Sequence, residues 1–176
     1  AYIVRIDKKR LTIDNNNMII EILNSIGDYE RIGDYCMNIA YVAQEINENK
    51  LKFSPKGQAE LDTISDASRH LVKMTFDAFN EDKQSEAYKV YPLSKAIDQM
   101  SDIIESHHVE RLRVGDCGVA GGVALYDLTN CFDRIAVHTK SISRHIIKRL
   151  GRDDEMDALH GSIMDKESEE YIALES

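Results

Sequence analysis

Ile26-Gly-Asp-Tyr-Glu-Arg-Ile-Gly-Asp-Tyr-Cys-Met-Asn38 is the segment from which the rest of the chain is best read. Glu30 and Asp34 stand four residues apart, which puts both carboxylates on one face of a helix. Leu23, Ile26, Met37 and Tyr41 fall on the same stripe, so both acids are expected to be only partly solvated. Like charges at this spacing repel by about a few tenths of a kcal/mol, and by more once desolvated. Compensation would come from Arg31, a basic partner helix or a bound cation. Paired carboxylate oxygens suit iron, manganese, magnesium or calcium. Gly27 and Gly33 flank the acids, and each costs about 1 kcal/mol relative to Ala inside a helix. They predict close approach of another backbone or a ligand. The plainer reading is a helix crossing with a solvated acidic edge.

Helical periodicity continues on both sides. Ile19, Leu23, Ile26, Cys36, Met37, Ala40 and Ala43 recur at three- and four-residue steps, predicting a helix from after Asp14 to near Asn49. Ser54-Pro55 reads as an N-cap followed by Pro at the first helical position. Leu61, Ile64, Leu71, Met74 and Phe79 carry that helix to about Asn80. A further helical stretch runs from about Asp82 to Val114, with Pro92 as a kink or restart. Gly115-Asp-Cys-Gly118 and Gly121-Gly122 read as a connector, and Val123 to Leu150 as the next helix, capped by Gly151. Asp153 to Leu174 could hold one short polar helix. No segment alternates as a strand does, so the fold is expected to be all-α, with long helices and short connections.

Composition narrows the function classes. The chain has 176 residues, with 22 Lys and Arg against 31 Asp and Glu, a formal charge of −9. That balance opposes nucleic-acid binding, which needs concentrated positive charge. No apolar run approaches the roughly 18 residues of a membrane helix, so direct membrane insertion by this segment is not expected. Cys36, Cys117 and Cys131 form no Cys-x-x-Cys pair, which suggests reduced thiols and a cytoplasmic setting. There is no Gly-x-x-x-x-Gly-Lys phosphate loop and no Gly-x-Ser-x-Gly nucleophile turn. The basic run Arg144 to Arg149 is expected to complement a helix C-terminus, or else to meet acidic partners or lipid headgroups.

An internal echo points to two units. Glu30-Arg31-Ile32 and Asp133-Arg134-Ile135 lie 103 positions apart, each midway along a long helix, and Ile39 and Ile142 share their register. Glu105 and His108 have the Glu-x-x-His spacing of helical metal sites, but the pair occurs once; Asp157 and His160 repeat the spacing in a polar tail. A metal-dependent helical enzyme using Glu30, Asp34, Glu105 and His108 is the rival reading, and it requires those groups around one point. The plainer reading of His107 and His108 is surface or helix-contact residues.

Ile26 to Ala40 resembles the signature helix of the PhoU family, and the second half agrees through His108-Val-Glu-Arg-Leu112, Gly115-Asp-Cys117 and Asp127 to Ile135. The pattern is most similar to the PhoU-like cytoplasmic C-terminal domain of bacterial sodium/phosphate cotransporters, a likeness that the tail Lys166 to Tyr171 extends. The resemblance implies a tandem of two three-helix bundles, divided here as residues 1–80 and 81–176. The chain opens Ala1-Tyr2-Ile3 without an initiator Met, and its first helix is expected to be truncated. The implied role is non-catalytic control of phosphate uptake, with the membrane transporter portion of the same full-length protein as partner. A free-standing PhoU-type regulator is the alternative, and a homodimer is also expected.

The family binds iron or zinc clusters through Glu/Asp-x-x-x-Asp motifs. Here Glu30 and Asp34 match a complete motif and Asp28 matches the pattern beside it. In the second bundle, Asp98 and Asp133 match, but their motif partners are Ser94 and Val137. The candidate metal residues are therefore Glu30, Asp34, Asp28, Asp98 and Asp133. No tightly bound cluster is expected from one complete motif.

Overall fold

The computed structural model describes residues 12–81 and 83–149. Among them are α1 (Ile13–Glu48), α2 (Pro55–Asn80), α3 (Gln84–Val114) and α4 (Val119–Arg149), with no strand. The all-α expectation is met. The expected helix at 153–174, the Gly151 cap and the truncated first helix lie outside the described residues.

Local chemistry accounts for most helix ends. Thr12, rather than Asp14, caps α1: its hydroxyl accepts the Asn15 N–H at 3.2 Å. Ser54 caps α2 by accepting the Gly57 N–H at 3.1 Å, with Pro55 at the first turn as expected. Pro92 lies within α3 without ending it. Gly115 terminates α3 in the left-handed region at φ 79°, and the Gly115 and Asp116 N–H groups bond back to Leu112 and Arg111 carbonyls. The connector is then shorter than expected, because α4 begins at Val119 and takes in Gly121 and Gly122.

α4 is the hub, packing against all three other helices. One core cluster joins Leu61, Ile64 and Leu71 of α2 to Ile97 of α3 and to Leu125 and Phe132 of α4. The other joins Ile32, Ala78 and Ala87 to Ile135, Ile142 and Ile146 of α4. Both clusters draw on helices from either side of residue 80. The echo residues Ile32 and Ile135 both belong to the second cluster, which also holds Ile142 and against which Ile39 packs. The repeated segments therefore pack against each other, α1 on α4.

The α1 stripe requires a correction. Leu23, Ile26, Met37 and Tyr41 are each more than half exposed, and Cys36, Ala40 and Ala43 are exposed as well. The face that packs is instead the seam of Ser25, Asp28, Ile32, Tyr35, Ile39, Val42 and Ile46, which alternates steps of three and four residues. Apolar residues occur on both faces of this helix, so its own sequence cannot say which one α4 will cover. Tyr29 fixes the contact with α2 by packing edge-on against Phe76 and Phe79, with centroids 5.3 and 5.4 Å away.

Candidate functional site

Glu30 and Asp34 share a face as expected, but that face is open. Both are exposed, and the Asp34 side chain retains 61% of its accessible surface, with Arg31 3.9 Å away. The expectation of partial desolvation is therefore corrected: the acidic edge is solvated, and its nearest compensating charge is the exposed Arg31. A Cβ added at Gly27 or Gly33 would meet nothing within 4 Å, so no close approach accounts for these glycines among the described residues.

Asp28 leaves that set altogether. Two residues correspond to about 200° around a helix, so Asp28 faces α4 while Glu30 faces away. Its carboxylate lies 2.8 Å from His138 Nδ1 and 4.0 Å from His145 Nε2, and Tyr35 stacks on the His138 ring at 5.9 Å. This makes Asp28 a polar clamp between α1 and α4.

The second-bundle residues behave differently. Asp98 of α3 and Asp133 of α4 come together in the lining of a groove of about 530 Å³. Burial pushes the Asp133 carboxyl above its ordinary range, and the charge of Asp98 and a hydrogen bond with it push the same way. Asp102 adds to the rise, while Arg134 opposes it. A carboxyl pair arranged in this way tends to share a proton. Ser94 and Val137, standing where the resemblance expects carboxylates, also line this groove. Its other walls carry Lys95, Lys140 and Arg144.

The rival metal-enzyme set is not brought together. Glu105 accepts a hydrogen bond from Thr129 at 3.0 Å. His108 is buried, with its Nδ1 3.6 Å from Cys117 Sγ and its ring against Gly122, where a Cβ would come within 2.1 Å of Nε2. Burial, and then Arg111, hold His108 below the usual imidazole range, with Glu60 pulling the other way. Glu60 instead joins α2 to α3 through His107 at 2.7 Å and Arg111 at 2.8 Å. Burial raises Glu60, but its hydrogen bonds and charge contacts with Arg111 and His107 outweigh that and leave it below its ordinary range.

These donors do not fit an iron or zinc cluster. No group of three or more His, Cys, Asp or Glu side chains is arranged to hold a metal among the described residues. Glu30 and Asp34 provide one exposed pair, Asp28 is committed to histidine, and Asp98 and Asp133 share a groove with three cationic side chains. Sequence reading missed that groove because its cations come from two helices. The only linear signals were the i, i+4 spacing of Lys140 with Arg144 and the matching position of Ser94 and Lys95 near Asp98.

No family model matches the chain. It is similar to PhoU homolog 1 of Thermotoga maritima, a phosphate-specific transport system accessory protein, at 29% identity over 129 residues. The match covers 73% of this chain and 55% of that protein. A PhoU homolog of Pseudomonas putida, bearing the same accessory-protein description, is 28% identical over 74% of this chain and 50% of its own. The PhoU of Edwardsiella tarda is 31% identical over 53% of this chain and 37% of its own. The crystal structure of PhoU from Pseudomonas aeruginosa superposes with a TM-score of 0.75 at 22% identity, covering 85% of this chain and 69% of that one. The chain thus has the all-helical fold of PhoU and spans about half the length of the first two relatives. No helix among the described residues is long and apolar enough to cross a membrane.

Proposed function

We propose that this chain is a PhoU-type regulatory module that controls phosphate uptake from the cytoplasmic side of the membrane without catalysing a reaction. The similarity to Thermotoga maritima PhoU homolog 1 over 129 residues carries the proposal, supported by the shared fold. In this reading α1–α2 and α3–α4 belong to two related bundles dividing near residue 80, and the α1–α4 pair is the joint between them.

The similar proteins are described as accessory proteins of a phosphate-specific transport system. That favours an accessory module acting on a transporter over a tail built into a sodium/phosphate cotransporter. Its output would be transmitted by helix contacts, since the carboxylates that the resemblance singles out are split among a solvated edge, a histidine clamp and a cation-lined groove.

The test is radiolabelled phosphate uptake in a bacterial strain deleted for its own PhoU, with and without this chain expressed. Restored restraint of uptake is the expected result. Unchanged uptake despite verified expression, in both that strain and the source organism's own deletion strain, would sink the proposal.

A further inference from the structure

We propose that the basic half of the α3–α4 groove, built by Lys95, Lys140 and Arg144 with Ser94 and Ser141, is a binding site for a phosphate-class oxyanion. All five side chains line one groove of about 530 Å³, within the size range of small-molecule sites. The Lys140 ammonium sits 4.6 Å from the centroid of the Tyr91 ring, a contact that positions it without neutralising it. Neither Lys140 nor Arg144 has a carboxylate within ion-pairing distance among the described residues. The two serines bring hydroxyl donors to the same walls, and guanidinium and ammonium groups with hydroxyls are the usual partners of phosphate oxygens.

The acid pair lies away from Arg144, while Lys95 stands three residues from Asp98 and Lys140 seven from Asp133. Arg144 follows Asp133 by eleven residues along α4, and a rise of 1.5 Å per residue separates them by about 16 Å. That is about twice the screening length at physiological ionic strength, roughly 8 Å. The chain's departures act in the same direction, because Ser94 and Val137 remove two negative charges from a groove where the resemblance would put carboxylates. The groove thus carries fewer carboxylates than the resemblance implies, with Arg144 at the end away from Asp133.

The oxyanion could be free phosphate or the phosphate of a lipid headgroup. Arg144 also borders a second groove with His145 and Lys148, and both Arg144 and Lys148 are exposed. A membrane surface would engage this ridge as a whole, whereas a free anion would use the α3–α4 groove alone.

The full 176-residue chain is titrated with inorganic phosphate and pyrophosphate by calorimetry and amide chemical shifts. It is also sedimented with vesicles of phosphatidylcholine, pure or mixed with phosphatidylglycerol. Saturable anion binding is expected, weakened about tenfold or more in Lys140→Gln/Arg144→Gln and unchanged in Lys148→Gln and in Lys73→Gln on α2. Binding only to the phosphatidylglycerol vesicles, lost in both groove and Lys148 variants, would assign the headgroup as source. No binding to either probe, or binding indifferent to Lys140→Gln/Arg144→Gln in protein with unchanged helical circular dichroism, overturns the site. The choice of phosphate rests partly on the regulator reading, but the two fail separately: uptake is read in cells and oxyanion binding on purified protein.

Discussion

The two motif-bearing faces of this molecule differ in a way that their sequences conceal. On α1 the complete Glu30–Asp34 pair lies on an exposed edge beside Leu23, Ile26, Met37 and Tyr41. Between α3 and α4 the incomplete motifs put Asp98 and Asp133 into one groove, where burial and mutual repulsion keep Asp133 hard to ionise. A complete linear motif thus has the weaker chemical setting, and a broken one has the stronger. Two helices converging on a groove set its electrostatics, and spacing along one helix does not report that.

The widest gap between the regions should appear in stability. Ile142, fully buried on α4, should cost about 2–5 kcal/mol as Ile142→Ala. Met37→Ala on the open face of α1, where Met37 is 54% exposed, should stay within about 0.5 kcal/mol. Urea unfolding of both variants checks this, and a Met37 loss as large as that at Ile142 would mean that the α1 face is covered.

The glycines sharpen the contrast at smaller magnitude. Gly122→Ala should destabilise by about 1–3 kcal/mol, because its Cβ would fall 2.1 Å from buried His108. Gly33→Ala should stabilise by up to about 1 kcal/mol, since its Cβ meets open space and Ala is the better helix former. Paired thermal melts decide it, and equal signs for the two would break the comparison.

The acids differ in their response to pH. Asp133 has a raised folded-state value, so at pH between the ordinary and the raised value the folded protein holds a proton that the unfolded chain has already released. Its contribution is fully present below the ordinary carboxyl range and falls as pH rises through the raised value. Asp133→Asn should flatten that part of the stability profile and leave the protein at neutral pH as stable as the parent or more so. A profile with unchanged slope in the variant would remove Asp133 as its source.

Metal content is expected to show the smallest effect. Elemental analysis of chain purified without chelators should find well under one iron or zinc per molecule, with no change in Glu30→Ala/Asp34→Ala. Stoichiometric metal lost in that variant would show that the exposed pair recruits ligands from elsewhere and would reverse the ranking of the two faces.

Much of the fold was legible in the chain because its signals are local. Ser54-Pro55 starts α2 through a side-chain hydrogen bond to a nearby amide, and Gly115 ends α3 because only a residue without a Cβ enters the left-handed region freely. The echo between Glu30-Arg31-Ile32 and Asp133-Arg134-Ile135 marked the helices that meet as α1 and α4. Gly121 and Gly122 misled, because their low helix propensity read as a connector while packing against His108 holds Gly122 inside α4.

By itself, the sequence determined that the protein is helical and where several helices begin and end, because capping, glycine conformation and periodicity act within a few residues. The tertiary structure decided which stripe of α1 is buried, that Asp28 turns to His138 rather than to Glu30, and that Asp133 meets Asp98 beside Lys140 and Arg144. Burial and electrostatic field belong to neighbours brought together from distant parts of the chain, and spacing along one helix carries no record of them.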